Sequence, residues 1–234
     1  MSTIQSRADT NLIGKGLYTV PEASRITGVP AETFRRWVFG YARRRNCARV
    51  EYAPLTAPEI GRIEGQCIVG FRDLLEARVV NAFREAGVSW HVIRQAARNT
   101  QTIDRPWHPF LSRRFRTDGR TIFLEIAKQS DEPKLIDLAR NQLAFHSVIA
   151  PSLFKQIVFG DDDEPKLWYP AWPRKTIVID PQRAFGRPLS GDVPADSLAA
   201  AACAENSAEI AACWYGVPKE AVDAAVEWEK RLAA

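Results

Sequence analysis

The sequence has few of the side chains that enzymes and metal sites most often use. Its 234 residues include four cysteines and three histidines. The cysteines show no C-x-x-C spacing and no histidine stands in an H-E-x-x-H context, so the common zinc patterns are missing. Walker loops, dinucleotide-binding glycine patterns and G-x-S-x-G motifs are also missing. We therefore expect a protein without enzymatic activity, with no catalytic residue, metal or cofactor.

Long apolar segments are missing as well. No stretch approaches the roughly 18 apolar residues of a membrane span. Residues 1–15 lack the apolar core of a secretory signal peptide. The cysteine spacing fits reduced thiols better than disulfides. We expect a cytoplasmic protein that has no membrane partner.

Charge is distributed unevenly along the chain. Residues 1–130 contain 21 Lys and Arg against 12 Asp and Glu, a net charge of +9. Residues 131–234 contain 11 against 16, a net charge of −5. A basic segment attracts polyanions such as nucleic acids. Unless the asymmetry arose by chance, it indicates a polyanion-facing end and a different task for the other end.

A helix-turn-helix is predicted near the N-terminus. Pro21 is a favoured first residue of a helix, and Gly28 can adopt the left-handed conformation that ends one. A second helix over 31–39 has apolar residues at helical spacing, and we expect Trp37 to be one of its core residues. Two short helices joined by such a turn are typical of this motif.

Six arginines and no acidic residue lie between positions 35 and 49. The planar guanidinium group matches both phosphate oxygens and guanine edges. Side chains of the second helix would read base edges, and the residues beyond it would grip the DNA backbone or the minor groove. The predicted DNA-binding residues are Thr33, Arg35 and Arg36 on the helix, then Tyr41, Arg43, Arg44, Arg45 and Arg49. The alternative is a solvated cationic surface without a ligand.

Two strands and two helices are predicted next. Segments 49–52 and 66–70 are strand-like, and the proline- and glycine-rich stretch between them is expected to be loop. Such a pair could form a wing beside the helix-turn-helix. Residues 71–86 are the strongest amphipathic helix in the chain. Ser89 can cap a further helix over 90–99, which predicts a helical hairpin rather than a second DNA reader.

The middle of the chain contains a second group of arginines. Three roles are open for this group: a longer phosphate track, contact with an acidic partner, or an unpaired surface. Its members are Arg94, Arg98, Arg105, Arg113, Arg114, Arg116 and Arg120. Asp118-Gly119 is a hairpin-turn signal, which predicts strands over 113–117 and 121–126. A helix is expected over 134–144, whereas 149–159 fits either a helix or a strand.

The C-terminal part is predicted to be mainly helical. An acidic surface loop at 161–164 precedes Trp168, Tyr169 and Trp172, which we interpret as an aromatic anchor or linker. Residues 175–180 form a predicted strand. Residues 195–232 are alanine-rich and helical, with an interruption at Gly216-Val217-Pro218 that gives a second helix-turn-helix shape.

The N-terminal segments resemble the winged-helix domain of MerR-type regulators over residues 17–100. The resemblance rests on YTVPEASRITGVPAETFRRW and on the later helix FRDLLEARVVNAFREAGVSWHVIRQA. The metal-sensing cysteines and the long coiled-coil helix of some MerR proteins have no counterpart here.

The C-terminal segment resembles a small domain found in VapB-type antitoxins. The matching pattern is I-x-I-D-P…G-x-P…G, and its residues here are Ile177, Ile179, Asp180, Pro181, Gly186, Pro188, Gly191 and Pro194. Gly191-Asp192-Val193 stands where the family usually has G-T-R-I. The segments HPFLSRRFRTDGRTIFLE and WYP in the middle resemble longer VapB-like antitoxins. The resemblance implies an antitoxin that represses its own operon and neutralises a PIN-like ribonuclease toxin.

These expectations combine into one fold class and one function. The fold is expected to be mainly α with small β elements, with a winged helix-turn-helix and a small C-terminal helix-turn-helix-like domain. The expected divisions are a flexible N-terminus at 1–16, the winged helix at 17–100, a connecting α/β region at 101–170 and the antitoxin-type domain at 171–234. The expected partners are operator DNA, the toxin and a second copy in a homodimer. The alternative function is a stand-alone MerR-like transcriptional regulator.

Overall fold

The computed structural model describes residues 12–45, 48–104, 108–113, 115–116 and 153–233. Its N-terminal part is built from short strands and helices. In chain order these are β1 (Tyr18–Thr19), α1 (Val20–Thr27), α2 (Ala31–Phe39), β2 (Tyr41–Arg45), β3 (Ala48–Tyr52), β4 (Gly61–Ile63), β5 (Gln66–Val69), α3 (Phe71–Glu85) and α4 (Trp90–Asp104). A 3-10 turn at Pro109–Leu111 follows.

The predicted helix-turn-helix is present as α1 and α2. The hydroxyl of Thr19 accepts a hydrogen bond from the backbone N–H of Glu22, and the Glu22 carboxylate accepts one from the backbone N–H of Thr19. This capping box begins α1. Gly28, at φ 75°, ends it in the left-handed conformation. Trp37 is half-buried and stacks on Trp90 with ring centroids 5.6 Å apart, which confirms its packing role.

The predicted pairing of the wing is wrong. Residues 49–52 lie in β3, which pairs with β2 rather than with 66–70. The stretch predicted as loop contains β4, which pairs with β5, and β5 also pairs with β1. The reason is the local turn at Glu64-Gly65, where both φ values are positive (48° and 83°), as a two-residue hairpin turn of type I′ requires. Two hairpins therefore follow α2 in place of one wide loop.

Helices α3 and α4 form the predicted helical hairpin. Leu74, Leu75 and Phe83 of α3 are fully buried in the core shared with α1 and α2. Helix α4 continues to Asp104, five residues beyond the predicted end. This core supports α2 and both hairpins.

A five-stranded antiparallel sheet lies in the C-terminal part and was not predicted. Its strands are β6 (Ile157–Phe159), β7 (Pro165–Trp168), β8 (Val178–Ile179), β9 (Pro188–Ser190) and β10 (Val193–Pro194). Their order in the sheet is β10-β9-β8-β7-β6. These strands are only two to four residues long, and three of them begin or end with proline, which leaves little alternation for a pattern to reveal. The fold class therefore needs this sheet added to its helices.

The predicted C-terminal helices are confirmed, as α5 (Ala195–Ala204), α6 (Ala208–Tyr215) and α7 (Lys219–Ala233). The hydroxyl of Ser207 accepts a hydrogen bond from the backbone N–H of Ile210 and caps α6, and Gly216 ends it at φ 63°. Of the predicted aromatic anchor or linker, Trp168 is fully buried in β7, whereas Trp172 is 40% exposed. Within the described residues, no helix combines the length and apolar character that crossing a bilayer would require.

The N-terminal and C-terminal parts contact each other around Tyr18. Its hydroxyl, whose pKa is raised by burial, donates a hydrogen bond to the carbonyl oxygen of Gly186 at 2.7 Å. A Cβ atom at Gly186 would lie 2.2 Å from that hydroxyl, so only glycine fits there. Strands β7 and β8 pair across residue 170, so the expected boundary crosses one sheet. The division into domains itself remains a prediction.

In the described residues, arginines of the second group contact other parts of this same chain. Arg116 and Arg113 contact Asp163 at 2.9 and 3.5 Å, and Arg94 donates to the carbonyl oxygen of Ala53 at 2.7 Å. Arg113 and Arg116 are helical, so the predicted strand over 113–117 is wrong. The reason is tertiary, because Phe115 is buried edge-on against two other phenylalanine rings. Arg105, Arg114, Arg120, the strand at 121–126 and the helix at 134–144 lie outside the described residues.

Candidate nucleic-acid interface

Helix α2 and the two hairpins enclose an open groove of about 600 Å³. Four arginines line it, and they come from three separate elements. Arg35 and Arg36 lie on α2, Arg49 on β3 and Arg62 on β4. Its two acidic residues are Glu32 and Glu51. The positively charged side chains outnumber the negative ones, which suits a polyanion.

The two arginines of α2 are in different states. Arg35 is exposed, and among the described residues no carboxylate lies within ion-pair distance of it. Arg36 is half-exposed, its Nε lies 2.9 Å from a carboxylate oxygen of Glu32, and its guanidinium lies 5.3 Å from the ring centroid of Tyr41. A base contact by Arg36 would compete with these contacts, whereas Arg35 is free to make one.

The β2–β3 hairpin places two arginines directly opposite each other. Arg44 pairs with Arg49 across the strands, so their side chains share one face. Like charges in this position destabilise an isolated hairpin. Glu51, at 3.3 Å from Arg49, offsets part of the repulsion, but both groups are about three-quarters exposed and the ion pair is weak. A bound phosphate would relieve the remaining repulsion.

Gly40 sets the angle between α2 and this hairpin. Its φ is 71°, and a Cβ atom there would lie 2.5 Å from the carbonyl oxygen of Tyr52 and 3.0 Å from the nitrogen of Pro54. Only glycine permits this close approach of the two chain segments. Immediately beyond it, the rings of Tyr41 and Tyr52 stack with centroids 4.6 Å apart. The glycine and the stacked rings fix the hairpin against the end of α2.

The sequence did not indicate Arg62, because it lies in the stretch predicted as loop. In the structure it is exposed on β4 and lines the same groove as Arg35. The signal that could have found it is the Glu64-Gly65 turn, since a glycine between two short apolar strands is a hairpin signal. The wing therefore contributes a cation that the basic run from 35 to 49 does not contain.

A buried carboxylate joins the wing to α3. Asp73 accepts hydrogen bonds from the backbone N–H groups of Gly70 at 2.9 Å and Glu59 at 3.1 Å. Its other oxygen lies 2.9 Å from Nε2 of His108. Gly70 and Glu59 stand at the two ends of the β4–β5 hairpin. Asp73 thus fixes the base of the wing, and the wing carries Arg62.

The surroundings of His108 favour its positively charged form. Burial alone would lower its pKa, but the hydrogen bond to Asp73 and the nearby charges of Glu76 and Glu59 outweigh burial and raise it to about 9. Glu76 itself is fully buried, and burial raises its pKa to about 7. It accepts hydrogen bonds from the hydroxyl of Thr56 and the backbone N–H of Phe110. These groups are structural supports of the interface rather than parts of it.

The predicted DNA-binding residues occupy one region but two kinds of element. Thr33, on α2, is half-buried, and Arg35 and Arg36 are exposed beside it. Those beyond the helix, which the sequence assigned to the DNA backbone or the minor groove, lie in the β2–β3 hairpin. Its members are Tyr41, Arg43, Arg44, Arg45 and Arg49. Whether each of these residues contacts DNA remains a prediction.

The sequence profile of a family described as "Putative DNA-binding HTH domain" matches residues 16–97. This range contains α1, α2, both hairpins and the groove. The chain is also 31% identical over 183 residues to the protein named "Putative antitoxin VapB45" of Mycobacterium tuberculosis (strain H37Rv), and the alignment covers 74% of this chain and 76% of the relative. The chain belongs to this VapB antitoxin family. This VapB-family chain thus contains a helix-turn-helix domain at residues 16–97.

A solved structure resembles the whole fold. It is entitled "X-ray crystal structure of Rv2018 from Mycobacterium tuberculosis", and the two chains superpose with a TM-score of 0.70 at 25% identity. The superposition covers 89% of this chain and 96% of the other. The solved structure thus shares both the helix-turn-helix part and the C-terminal part of this chain.

Proposed function

We propose that the groove binds operator DNA and that the chain represses its own operon as a MerR-like winged helix. The observation that carries this proposal is the convergence of arginines from α2, β3 and β4 on one groove. Helix α2 would enter the major groove with Arg35 at base edges. Arg43, Arg44 and Arg49 would hold phosphates beside it, and Arg62 would hold a phosphate on the wing side. A palindromic operator then calls for a homodimer, with one winged helix on each half-site.

The second half of the proposal is that the chain neutralises a PIN-like ribonuclease toxin in the cytoplasm. Membership of the VapB family supports it, since the related protein is named an antitoxin. The net charge of −5 over residues 131–234 also supports it, because a ribonuclease presents a basic surface to RNA. This half predicts a PIN-like ribonuclease gene beside the gene of this chain, and mixing the purified chain with that ribonuclease tests it. We expect RNA cleavage to stop at equimolar antitoxin, and continued cleavage would refute it.

Alanine substitution at Arg35 tests the DNA half. Loss of a base contact should weaken operator binding by about 1–3 kcal/mol and relax sequence preference at one base pair. The Arg43→Gln/Arg44→Gln pair should instead weaken binding to any DNA and lower the salt dependence by about one unit for each lost phosphate contact.

Fluorescence anisotropy with a labelled promoter fragment, at several salt concentrations, measures both effects. Arg174→Gln is a matched control, since Arg174 is exposed in the C-terminal part and does not line the groove. Wild-type affinity and wild-type salt dependence in the double variant would show that the hairpin does not touch DNA.

The alternative, a stand-alone regulator that senses a small ligand, is favoured by one observation. A cleft between α1 and α7 is lined by Arg25, Arg187, Asp196 and Glu229. Its volume of about 220 Å³ is below the roughly 300–1,000 Å³ of ordinary ligand pockets. Arg187 also pairs with Asp196, which occupies its charge. We therefore favour the antitoxin, and a promoter complex released by a small metabolite would favour the alternative.

A further inference from the structure

Helix α6 presents large apolar side chains to solvent. Its inner face packs through Ala211 and Ala212, which are buried against the C-terminal core. On the outside, Ile210 is 43% exposed, Trp214 is 75% exposed and Tyr215 is 43% exposed. Ile210 and Trp214 are four residues apart, so they lie on one side of the helix. We call these three residues the α6 face.

Exposing these apolar side chains to water is unfavourable, and burying them against a partner would favour binding. Tryptophan and tyrosine are enriched among the residues that dominate protein–protein affinity. Trp214 is more exposed than Trp172, which is 40% exposed and lies near the cation of Lys175. A side-chain cap at its start and a left-handed glycine at its end define this short helix, so the face is preformed for binding.

Acidic residues lie on α6 and on the segments that precede and follow it in the chain. They are the exposed side chains of Glu205, Glu209, Glu220 and Asp223. Lys219 is the single cation among the charged residues from 205 to 223, and it is paired with Glu209 at 2.5 Å. This part of the chain, residues 205–223, therefore has a net negative charge. It repels nucleic acid and attracts a basic protein surface.

We propose that the α6 face is the docking site for the ribonuclease toxin. This inference rests on the proposed function and names the surface that carries its toxin-binding half. A protein that binds RNA needs a basic surface for the phosphates. The acidic residues on α6 and its flanking segments are complementary in charge to such a surface. The DNA groove uses residues before position 63, so the two partners would bind different parts of the chain.

The test measures binding of the PIN-like ribonuclease that the proposed function predicts beside this gene, by titration calorimetry with the full chain. Trp214→Ala should raise Kd by at least about 30-fold, the loss expected of a binding hot spot. Ile210→Ala is a milder second variant. Phe185→Ala is the matched control, because Phe185 is 63% exposed but belongs to a turn before β9. The Glu220→Lys/Asp223→Lys pair should slow association, most strongly at low salt.

Each outcome decides a different claim. Wild-type affinity in both the Trp214 and the charge-reversed variants would overturn the docking site while leaving the antitoxin function intact. If the wild-type chain itself does not bind the ribonuclease, the proposed function and the docking site both fail. If Trp214→Ala instead converts a dimer to a monomer in light scattering, a second copy of this chain occupies the face and the toxin does not. Thermal unfolding at the wild-type temperature would confirm that the variants are folded.

Discussion

Asp73→Asn should destabilise the DNA-binding part, because three hydrogen-bond donors converge on that carboxylate. An amide at this position could keep the backbone hydrogen bonds from Gly70 and Glu59 only by turning its N–H₂ donor toward Nε2 of His108, and it would remove the charge that faces His108. Removing one partner of a buried ion pair costs about 3–5 kcal/mol.

The pKa of His108 gives a second estimate of the stability lost in Asp73→Asn. A rise from 6.5 to about 9 corresponds to roughly 3 kcal/mol in favour of the charged, folded form. Because the folded-state pKa is the higher one, this stabilisation is fully present below pH about 6.5 and is lost as pH rises through 9. Burial raises the pKa of Glu76 to about 7, so its contribution also falls as pH rises through that value.

Urea unfolding of the wild type and the variant at several pH values measures this prediction. At pH 7 the variant should be less stable by about 3 kcal/mol, and the decline in stability between pH 7 and 9 should become shallower. Asp161→Asn is the matched control, because Asp161 is exposed in the turn between β6 and β7. A loss below about 1 kcal/mol with an unchanged pH profile would refute the assigned role of the Asp73–His108 pair.

Two further predictions concern single contacts. Gly40→Ala should cost about 1–3 kcal/mol in urea unfolding and weaken DNA binding, because a Cβ atom would lie 2.5 Å from the carbonyl oxygen of Tyr52. Gly28→Ala, with a similar φ but open space around it, should cost about 1 kcal/mol, and equal losses would argue against the clash. Tyr18→Phe removes the buried hydrogen bond to Gly186 and should cost about 1 kcal/mol, and no loss would mean that the bond contributes little.

The helices could be predicted from sequence because their signals are local. Pro21 at the start and the left-handed Gly28 at the end mark α1, and Gly216 marks the end of α6. The same holds for the helical hairpin, in which Gly87 separates α3 from α4. Periodic apolar residues between such markers leave few alternatives.

The strands could not be assigned from sequence because the residues within a strand do not show which other strand it pairs with. Arg43, Arg44 and Arg45 have no apolar alternation, so β2 is recognisable only once β3 lies beside it. Strand β5 pairs on one side with its hairpin neighbour and on the other with β1, nearly 50 residues earlier. For the candidate site, the arginine run gave three of the four arginines that line the groove. The fourth, Arg62, depended on the hairpin that was missed.

One measurement tests the central claim, that this family member is a sequence-specific DNA-binding protein, most directly. The full chain is titrated into a labelled fragment of its own promoter and into a shuffled fragment of equal length and composition, at about 150 mM salt. We expect the promoter fragment to bind at least about 1,000-fold more tightly, as specific DNA-binding proteins do. We also expect Arg35→Ala to lower that preference by about 5- to 150-fold, the loss of one base contact. Equal affinity for the two fragments, or a preference that is unchanged in Arg35→Ala, would contradict the claim.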